Sequence, residues 1–439
     1  MKTNKTLLST AVAFGLLSSA NLANAAGFQL AEYSATGLGR AYAGEAAMAD
    51  NASAQWRNPA MLTYLEGTQV SVGAIYVNPN IDVKGTTTLQ HPATGQTVAV
   101  TDSASDDFAH DAVIPNLYIS HRYNDQLAIG FALGTNYGME TDLGKDFAAS
   151  HFGNEASVIS KEANLNLAYQ LNEQFSIGGG IRYIIAEGSF GATAPKTNIL
   201  NLPQGTTLKY MEGDDTTWGW QVGSAWQINE NHRVGFTYKS EVELKLEGHA
   251  EGFGFNKIPV DTRDFYDTGS MTLSLPATAE LASFHQLSEQ LALHASINWT
   301  DWSSFKELYA DLDNNPGSTV KEEHWKDNYR FAVGATYQLQ PKLALRTGIA
   351  YDTSAVSDKN RTITIPETDR TWLSIGATYD WTQDFTLDAG FTYIIAKDAP
   401  IKESRGYSSD KAAQTVGGQF IGETTGNVWL IGVQANYRF

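Results

Sequence analysis

From Gly67 to the carboxyl terminus, apolar and polar residues alternate with a period of two. The last stretch, 427–439, is the cleanest case. Trp429, Ile431, Val433, Ala435, Tyr437 and Phe439 fall on one face of an extended chain, and Gly432, Gln434, Asn436 and Arg438 fall on the other. The pattern predicts fourteen strands, at about 68–84, 112–123, 126–138, 156–171, 174–190, 216–229, 232–248, 269–285, 289–302, 324–339, 342–355, 369–381, 385–397 and 427–439. In the seventh, Val234, Phe236, Tyr238, Val242, Leu244 and Leu246 are assigned to one face. Arg233, Thr237, Lys239, Glu241, Glu243, Lys245 and Glu247 are assigned to the other. Arg330 and Arg346 share faces with Gly and Thr, opposite Phe331, Val333, Leu345 and Ile349.

Alternation alone does not say which face is inside, so a soluble β-sandwich and a membrane barrel both remain open at this point. The connections separate them. Short turns such as Asn124-Asp125, Asn172-Glu173 and Gln340-Pro341 alternate with long segments at about 85–111, 139–155, 191–215, 249–268, 303–323, 356–368 and 398–426. Short periplasmic turns against long external loops, with an even strand number, belong to outer-membrane barrels. The expected fold is all-β, a 14-stranded antiparallel transmembrane β-barrel.

Before Gly67 the alternation is missing. Residues 26–66 are rich in Ala and Gly; a short helix is expected over Arg40–Ala49, and Pro59 holds Asn58 extended. A segment of this kind does not belong in the wall. Lying before the first strand, it is expected to fold back into the lumen as a hatch. Residues 1–25 read as a signal peptide, with Lys2 and Lys5, an apolar run from Leu7 to Leu17 and Ala23-Asn24-Ala25 as cleavage site. The organisation expected is therefore signal peptide 1–25, hatch 26–66 and barrel 67–439.

Composition narrows the function. The 439 residues carry a formal charge of −18, which argues against nucleic acid as a partner. There is no cysteine, hence no disulfide or thiol nucleophile. The nine histidines show no ligand spacing, and His121, His285 and His294 have no serine motif beside them. No metal, cofactor or enzymatic activity is expected. The cluster Trp299, Trp302 and Phe305 is read as an interfacial girdle at a strand end.

Several runs carry a family resemblance. The start AGFQL, TGLGRAYAGEAAMAD from Thr36, Asn58-Pro59-Ala60, Thr135-Asn136-Tyr137-Gly138, TYKSEVELKLEG from Thr237, KDNYRFAVGATY from Lys326 and LRTGIAYD from Leu345 together cover nearly the whole chain after the signal peptide. They resemble the FadL family of outer-membrane long-chain fatty acid transporters. The resemblance implies passive, ligand-gated uptake into the outer membrane of a Gram-negative bacterium. Ligand is caught among the outer loops, passes to an inner pocket, and leaves sideways where strand three (126–138) kinks.

On that resemblance Asn136, Tyr137 and Gly138 mark the kink. Asn58, Pro59 and Ala60 belong to the hatch, with the Asn58 amide bonding broken-ladder groups at the kink. Phe28 lies beside the inner pocket and Lys321 meets the ligand headgroup. A second basic headgroup residue of the family has no counterpart in Glu187–Ala192; Arg182, inward by alternation, is the candidate substitute. The partners expected are long-chain fatty acids or similar hydrophobic ligands and outer-membrane lipid, with the barrel a monomer. Uptake of monoaromatic hydrocarbons, or an adhesin or phage-receptor role for the outer loops, are the alternatives.

Overall fold

The computed structural model describes residues 27–256 and 264–439; the signal-peptide expectation for 1–25 lies outside them. Among the described residues, fourteen antiparallel strands make the wall. In order they are strand one (Thr68–Gln90), two (Ala112–Arg122), three (Leu127–Gly134 and Gly138–Asp142), four (Glu155–Gln170), five (Phe175–Thr193), six (Thr207–Asn229) and seven (His232–Lys239 and Val242–Glu251). They continue with eight (Tyr266–Leu275 and Thr278–Gln286), nine (Leu291–Thr300), ten (Asn328–Gln340), eleven (Leu343–Asp352), twelve (Arg370–Asp380), thirteen (Phe385–Ala396) and fourteen (Gln419–Arg438). Strand one pairs with strand fourteen from Gln69 opposite Arg438 to Thr88 opposite Gln419, which closes the barrel. Closure leaves no open edge, the condition for a sheet to cross lipid.

The face expected to be apolar is the outer one. Ile431, Val433 and Tyr437 are exposed while Gln434 and Asn436 are buried inside. Likewise Phe331, Val333, Leu345 and Ile349 face out, with Arg330 and Arg346 buried opposite them. Lipid replaces a protein core as the solvent for the apolar row. Tyr123, Trp226, Trp381 and Phe439 stand exposed beside the short turns, and Trp218, Tyr329 and Tyr351 towards the other strand ends, in the manner of two aromatic girdles.

Strand seven departs from its expected faces. Phe236 points out and Thr237 and Lys239 point in, but beyond Ser240 the sides exchange. Val242, Leu244 and Leu246 are buried, and Glu241, Glu243, Lys245 and Glu247 are exposed. Lys239 opposes Gln221 and Glu247 opposes Asp214, so strand seven carries one residue more than strand six across this stretch. One extra residue flips every later side chain to the other face. Past the bulge the wall has the polarity of a soluble protein, charged outside and apolar within.

The segment 27–66 lies inside the wall as short helical turns at Ala35–Leu38, Glu45–Ala47, Ala54–Arg57 and Pro59–Tyr64. The helix expected over Arg40–Ala49 is absent, because Ala41 and Tyr42 adopt left-handed φ values of 53° and 51°. Asn58 is extended, as Pro59 requires. The segment bonds to distant parts of the wall. Arg330 Nη2 donates to the Ala41 carbonyl at 2.9 Å, Thr392 Oγ1 to the Leu38 carbonyl at 3.1 Å, and the Ala46 amide to Glu280 Oε1 at 3.0 Å. Gly348 of strand eleven admits this chain: a β-carbon there would meet the Arg40 carbonyl oxygen at 2.0 Å.

The segments expected as long loops carry further structure, with strands at Thr97–Ser105, Glu307–Leu312, Ser318–Glu322 and Ala399–Lys402 and a helix at Ser408–Gly417.

Candidate functional site

The site is built where three wall strands are interrupted. The ladder between strands three and four stops at Gly134 opposite Glu162 and resumes at Gly138 opposite Ile159. The predicted kink at Asn136, Tyr137 and Gly138 is therefore a break in the wall. Tyr137 still bonds Ser160 of strand four, its carbonyl accepting from the Ser160 amide at 3.0 Å, but the flanking backbone groups are taken up from inside: the Leu30 amide donates to the Asn136 carbonyl at 2.7 Å, and the Gly138 amide donates to the Phe28 carbonyl at 2.8 Å. Residues 28–30 thus add a short antiparallel piece of strand to the broken edge. Backbone groups buried at an interrupted ladder need such partners.

Two residues of the break, Tyr137 and Asn136, connect it to the other two interruptions. Tyr137 Oη donates to the Pro276 carbonyl at 2.8 Å, in the gap of strand eight, where proline can offer no ladder N–H. Asn136 Nδ2 donates to Glu162 Oε2 at 2.5 Å; Glu162 is bound bidentately by Arg182, whose Nη1 donates to the Ser240 carbonyl at 3.0 Å, in the gap of strand seven. Arg182 faces inward as expected. Its guanidinium is bound to Glu162 and to the Ser240 carbonyl.

Phe28 sits at the centre. Its ring lies 4.6 Å from Trp302, 5.7 Å from Phe305, 5.8 Å from Trp325 and 6.1 Å from Tyr137, centroid to centroid. Phe28 is 1% exposed and Trp302 0%, within an apolar cluster that includes Ile184, Phe190, Leu244, Leu246 and Met271. The girdle reading of Trp302 and Phe305 is thereby overturned. A 3-10 turn at Trp302–Ser304 folds the chain inward past the end of strand nine and buries both rings. Trp299 remains half-buried at the strand end, its indole N–H donating to Asp327 at 2.8 Å. Sequence reasoning missed Trp325, which follows three polar residues, and Leu244 and Leu246, whose face was misassigned.

Lys321 is buried at 2% exposure, so it is not a solvated loop lysine. Its ammonium donates to the Phe152 carbonyl at 3.0 Å and to Glu403 at 3.4 Å, and lies 5.7 Å from the centre of the Phe190 ring. Beside it, His151 packs on Phe152, and its Nε2 lies 2.9 Å from the Gly418 carbonyl at the end of the helix Ser408–Gly417. Burial holds the His151 imidazole down at about 4, and Lys321 adds to the effect. The native state therefore refuses a proton that the undocked imidazole would take near 6.5. Docking of this helix is fully stable above that pH, weakens as pH falls towards 4, and levels off below. Protection of the helix amides, taken as exchange relative to the intrinsic rate at the same pH, is expected to fall over this window, and His151→Gln to flatten the dependence. Protection that did not change with pH in the unmutated protein would refute the assignment.

Asn58 is not at the kink. Its Nδ2 donates to the Ala46 carbonyl at 2.6 Å and to the Ser224 carbonyl of strand six at 3.0 Å, while Oδ1 accepts from the Ala60 amide at 3.0 Å. Pro59 and Ala60 open the turn that Asn58 caps. The broken-ladder groups expected to fall to Asn58 are served by Phe28 and Leu30 instead. Asn58→Ala leaves buried carbonyls without this donor, at a cost of about 1–3 kcal/mol. Amides over 54–64 are expected to exchange faster by the corresponding factor, with the wall strands unchanged; equal protection in the variant would dismiss the clamp.

Further ion pairs hold the interior together. Arg40 meets Glu45 at 2.6 Å and Asp50 at 2.7 Å. Burial opposes the Arg40 charge, but Asp50 and Glu45 outweigh it, and Asp50 in turn is kept ionised against burial by Arg40 and Arg346. No group of His, Cys, Asp or Glu that could hold a metal occurs among the described residues.

A closed barrel with an apolar exterior, whose lumen is filled by its own amino-terminal segment, is an outer-membrane transport protein in class. The chain belongs to the outer membrane protein transport protein family (OMPP1/FadL/TodX), whose pattern matches residues 16–439. It is 33% identical to the long-chain fatty acid transport protein of Escherichia coli O6:H1, over 100% of this chain and 99% of that one. It is 34% identical to outer membrane protein P1 of Haemophilus influenzae over the full length of both. Among solved structures, a Pseudomonas aeruginosa FadL homologue superposes with a TM-score of 0.82 at 23% identity, covering 94% of this chain and 100% of that one. The Pseudomonas putida toluene transporter TodX does so with a TM-score of 0.64 at 16% identity, covering 94% and 100%. These two share the fold. The protein is an outer-membrane protein of a Gram-negative bacterium.

Proposed function

We propose that this protein carries long-chain fatty acids across the outer membrane by passive diffusion, with residues 26–66 as the hatch and the break in strand three as the exit. The observation that carries this reading is the double role of Phe28. Its carbonyl completes the broken edge at Gly138, and its ring fills the aromatic cluster inside. An acyl chain entering that cluster has to displace the ring, and displacement loosens the backbone that closes the wall. Binding and opening are then one event. Sideways release into lipid keeps the chain out of water, a gain of about 0.8 kcal/mol per buried methylene. No catalytic step is required, and one barrel suffices.

In this reading Lys321 meets the carboxylate in exchange for Glu403, which it now contacts at 3.4 Å. That existing pair also favours the second reading: an uncharged ligand such as a monoaromatic hydrocarbon needs no free cation. Uptake of labelled oleate and of toluene, by cells lacking their own transporter and supplied with this one, separates the two. Oleate uptake above the empty-vector level supports the proposal. Toluene uptake alone, from a folded barrel, rejects it.

A further inference from the structure

The break in strand three is lined by a buried lysine that lacks a carboxylate partner among the described residues. Asn136 is touched by two charged side chains, Glu162 and Lys239. Glu162 is saturated: Arg182 Nε and Nη2 bind its two oxygens at 2.9 and 2.7 Å, and Asn136 takes a further bond at 2.5 Å. Glu162 and Arg182 cancel. Lys239, on strand seven, is 5% exposed, and among the described residues its side-chain nitrogen reaches only the Asn136 amide oxygen at 3.4 Å and the face of Trp56 at 4.6 Å from the ring centre. No carboxylate among the described residues lies within 4.0 Å of it, the nearby Glu280 being held by Arg57 at 3.2 Å.

An ammonium has three protons to donate and is costly to bury without an anion. Here one long hydrogen bond and one aromatic face are all it has. Lys321 differs, since it already faces Glu403. Lys239 is also held firmly in place: it is the last residue before the strand-seven bulge, where the Ser240 amide and hydroxyl oxygen both bond Trp220 of strand six. Trp56 packs in turn on Gly134, the last paired residue before the break.

We propose that Lys239 is a second carboxylate-binding site, set at the gap in the wall, which receives the ligand headgroup while the acyl chain passes out through strand three. This rests on the reading of the ligand as a fatty acid. The carboxylate forms a charge-assisted bond to the ammonium beside Asn136, replacing the weak amide contact. The headgroup then crosses the apolar interior between two buried lysines, Lys321 and Lys239.

The test compares initial uptake of labelled oleate and labelled oleyl alcohol, which has the same chain but no charge, in cells expressing the full protein or Lys239→Met. Oleate uptake is expected to fall about tenfold in the variant, the size of one charge-assisted hydrogen bond. Oleyl alcohol uptake should hold within about twofold, and Lys239→Arg should recover most of the oleate rate. Heat-modifiable electrophoretic mobility checks the fold; if the Met variant does not assemble, Lys239→Gln replaces it. Unchanged oleate uptake, or an equal fall for both ligands, overturns the site while the fatty acid reading stands. Absence of oleate uptake by the unmutated protein overturns both.

Discussion

Gly138→Arg is expected to cut oleate uptake by about tenfold or more while a folded barrel remains in the outer membrane; blocking a route by 1.4 kcal/mol already gives a factor of ten. Gly138 is buried and is the first residue of the resumed ladder, its amide held by the Phe28 carbonyl. Side chains at Met139 and Thr141 are buried and Asp142 is exposed, so position 138 shares the outward parity of 142. A long cationic chain there lies across the mouth of the gap. Gly138→Ala adds a single methyl group and is expected to keep most of the rate. Uptake of oleate and surface amount are measured together in cells lacking their own transporter. Undiminished uptake by Gly138→Arg at equal surface expression would remove the lateral exit and leave the ligand assignment intact.

How far the sequence announces this arrangement depends on what enforces each part. Lipid forces the outer row to be apolar along the whole wall, so Ile431, Val433, Phe331 and Ile349 disclose the strands by period alone. Where lipid ends, so does the signal. Strand six begins at Thr207 and strand fourteen at Gln419, eight or nine residues before alternation becomes visible, because stretches such as Glu212-Gly213-Asp214 obey no membrane constraint. Strand seven shows the opposite error. Its even-numbered apolar residues look like one stripe, yet the bulge at Ser240 sends Val242, Leu244 and Leu246 inside. Nothing local marks a bulge when both of its sides are apolar at the same parity.

Site residues follow the same logic. Phe28, Tyr137 and Gly138 came from resemblance, and the geometry brings them together. The partners of Lys321 and Asn58 were out of reach, since Glu403 lies 82 residues from Lys321 and Ser224 lies 166 residues from Asn58. Trp302 and Phe305 were misread because an aromatic pair at a strand end serves a girdle or an interior equally well, and only the inward turn decides. A usable signal did exist for Glu162, Arg182 and Lys239. Charged residues at inward positions of strands that are otherwise apolar outside and small or polar inside announce a lumenal network, though not which member lacks a partner.

Phe28→Ala tests whether closure depends on one ring. Truncating a buried phenylalanine costs about 3–5 kcal/mol, through lost contacts and the space left behind. The loss here falls on the closed position of residues 28–30, because Trp302 and Phe305 are held by their 3-10 turn, Trp325 by its amide bond to the Phe305 carbonyl and Tyr137 by its hydroxyl bond to Pro276. The reporters are the amides of Leu30 and Gly138, which bond across the gap at 2.7 and 2.8 Å. At 1.4 kcal/mol per decade their hydrogen exchange should accelerate by about two to three and a half orders of magnitude, with amides of strands thirteen and fourteen unchanged. Unaltered exchange at both positions would show that the backbone pairing closes the gap without the ring. Ligand supplies the second arm. Saturating oleate should speed the same two amides in the unmutated protein, since the acyl chain expels the ring, and should add little in Phe28→Ala, where the ring is already gone. Acceleration by oleate of equal size in both proteins would separate ligand binding from Phe28, and with it the coupling between the inner cluster and the wall.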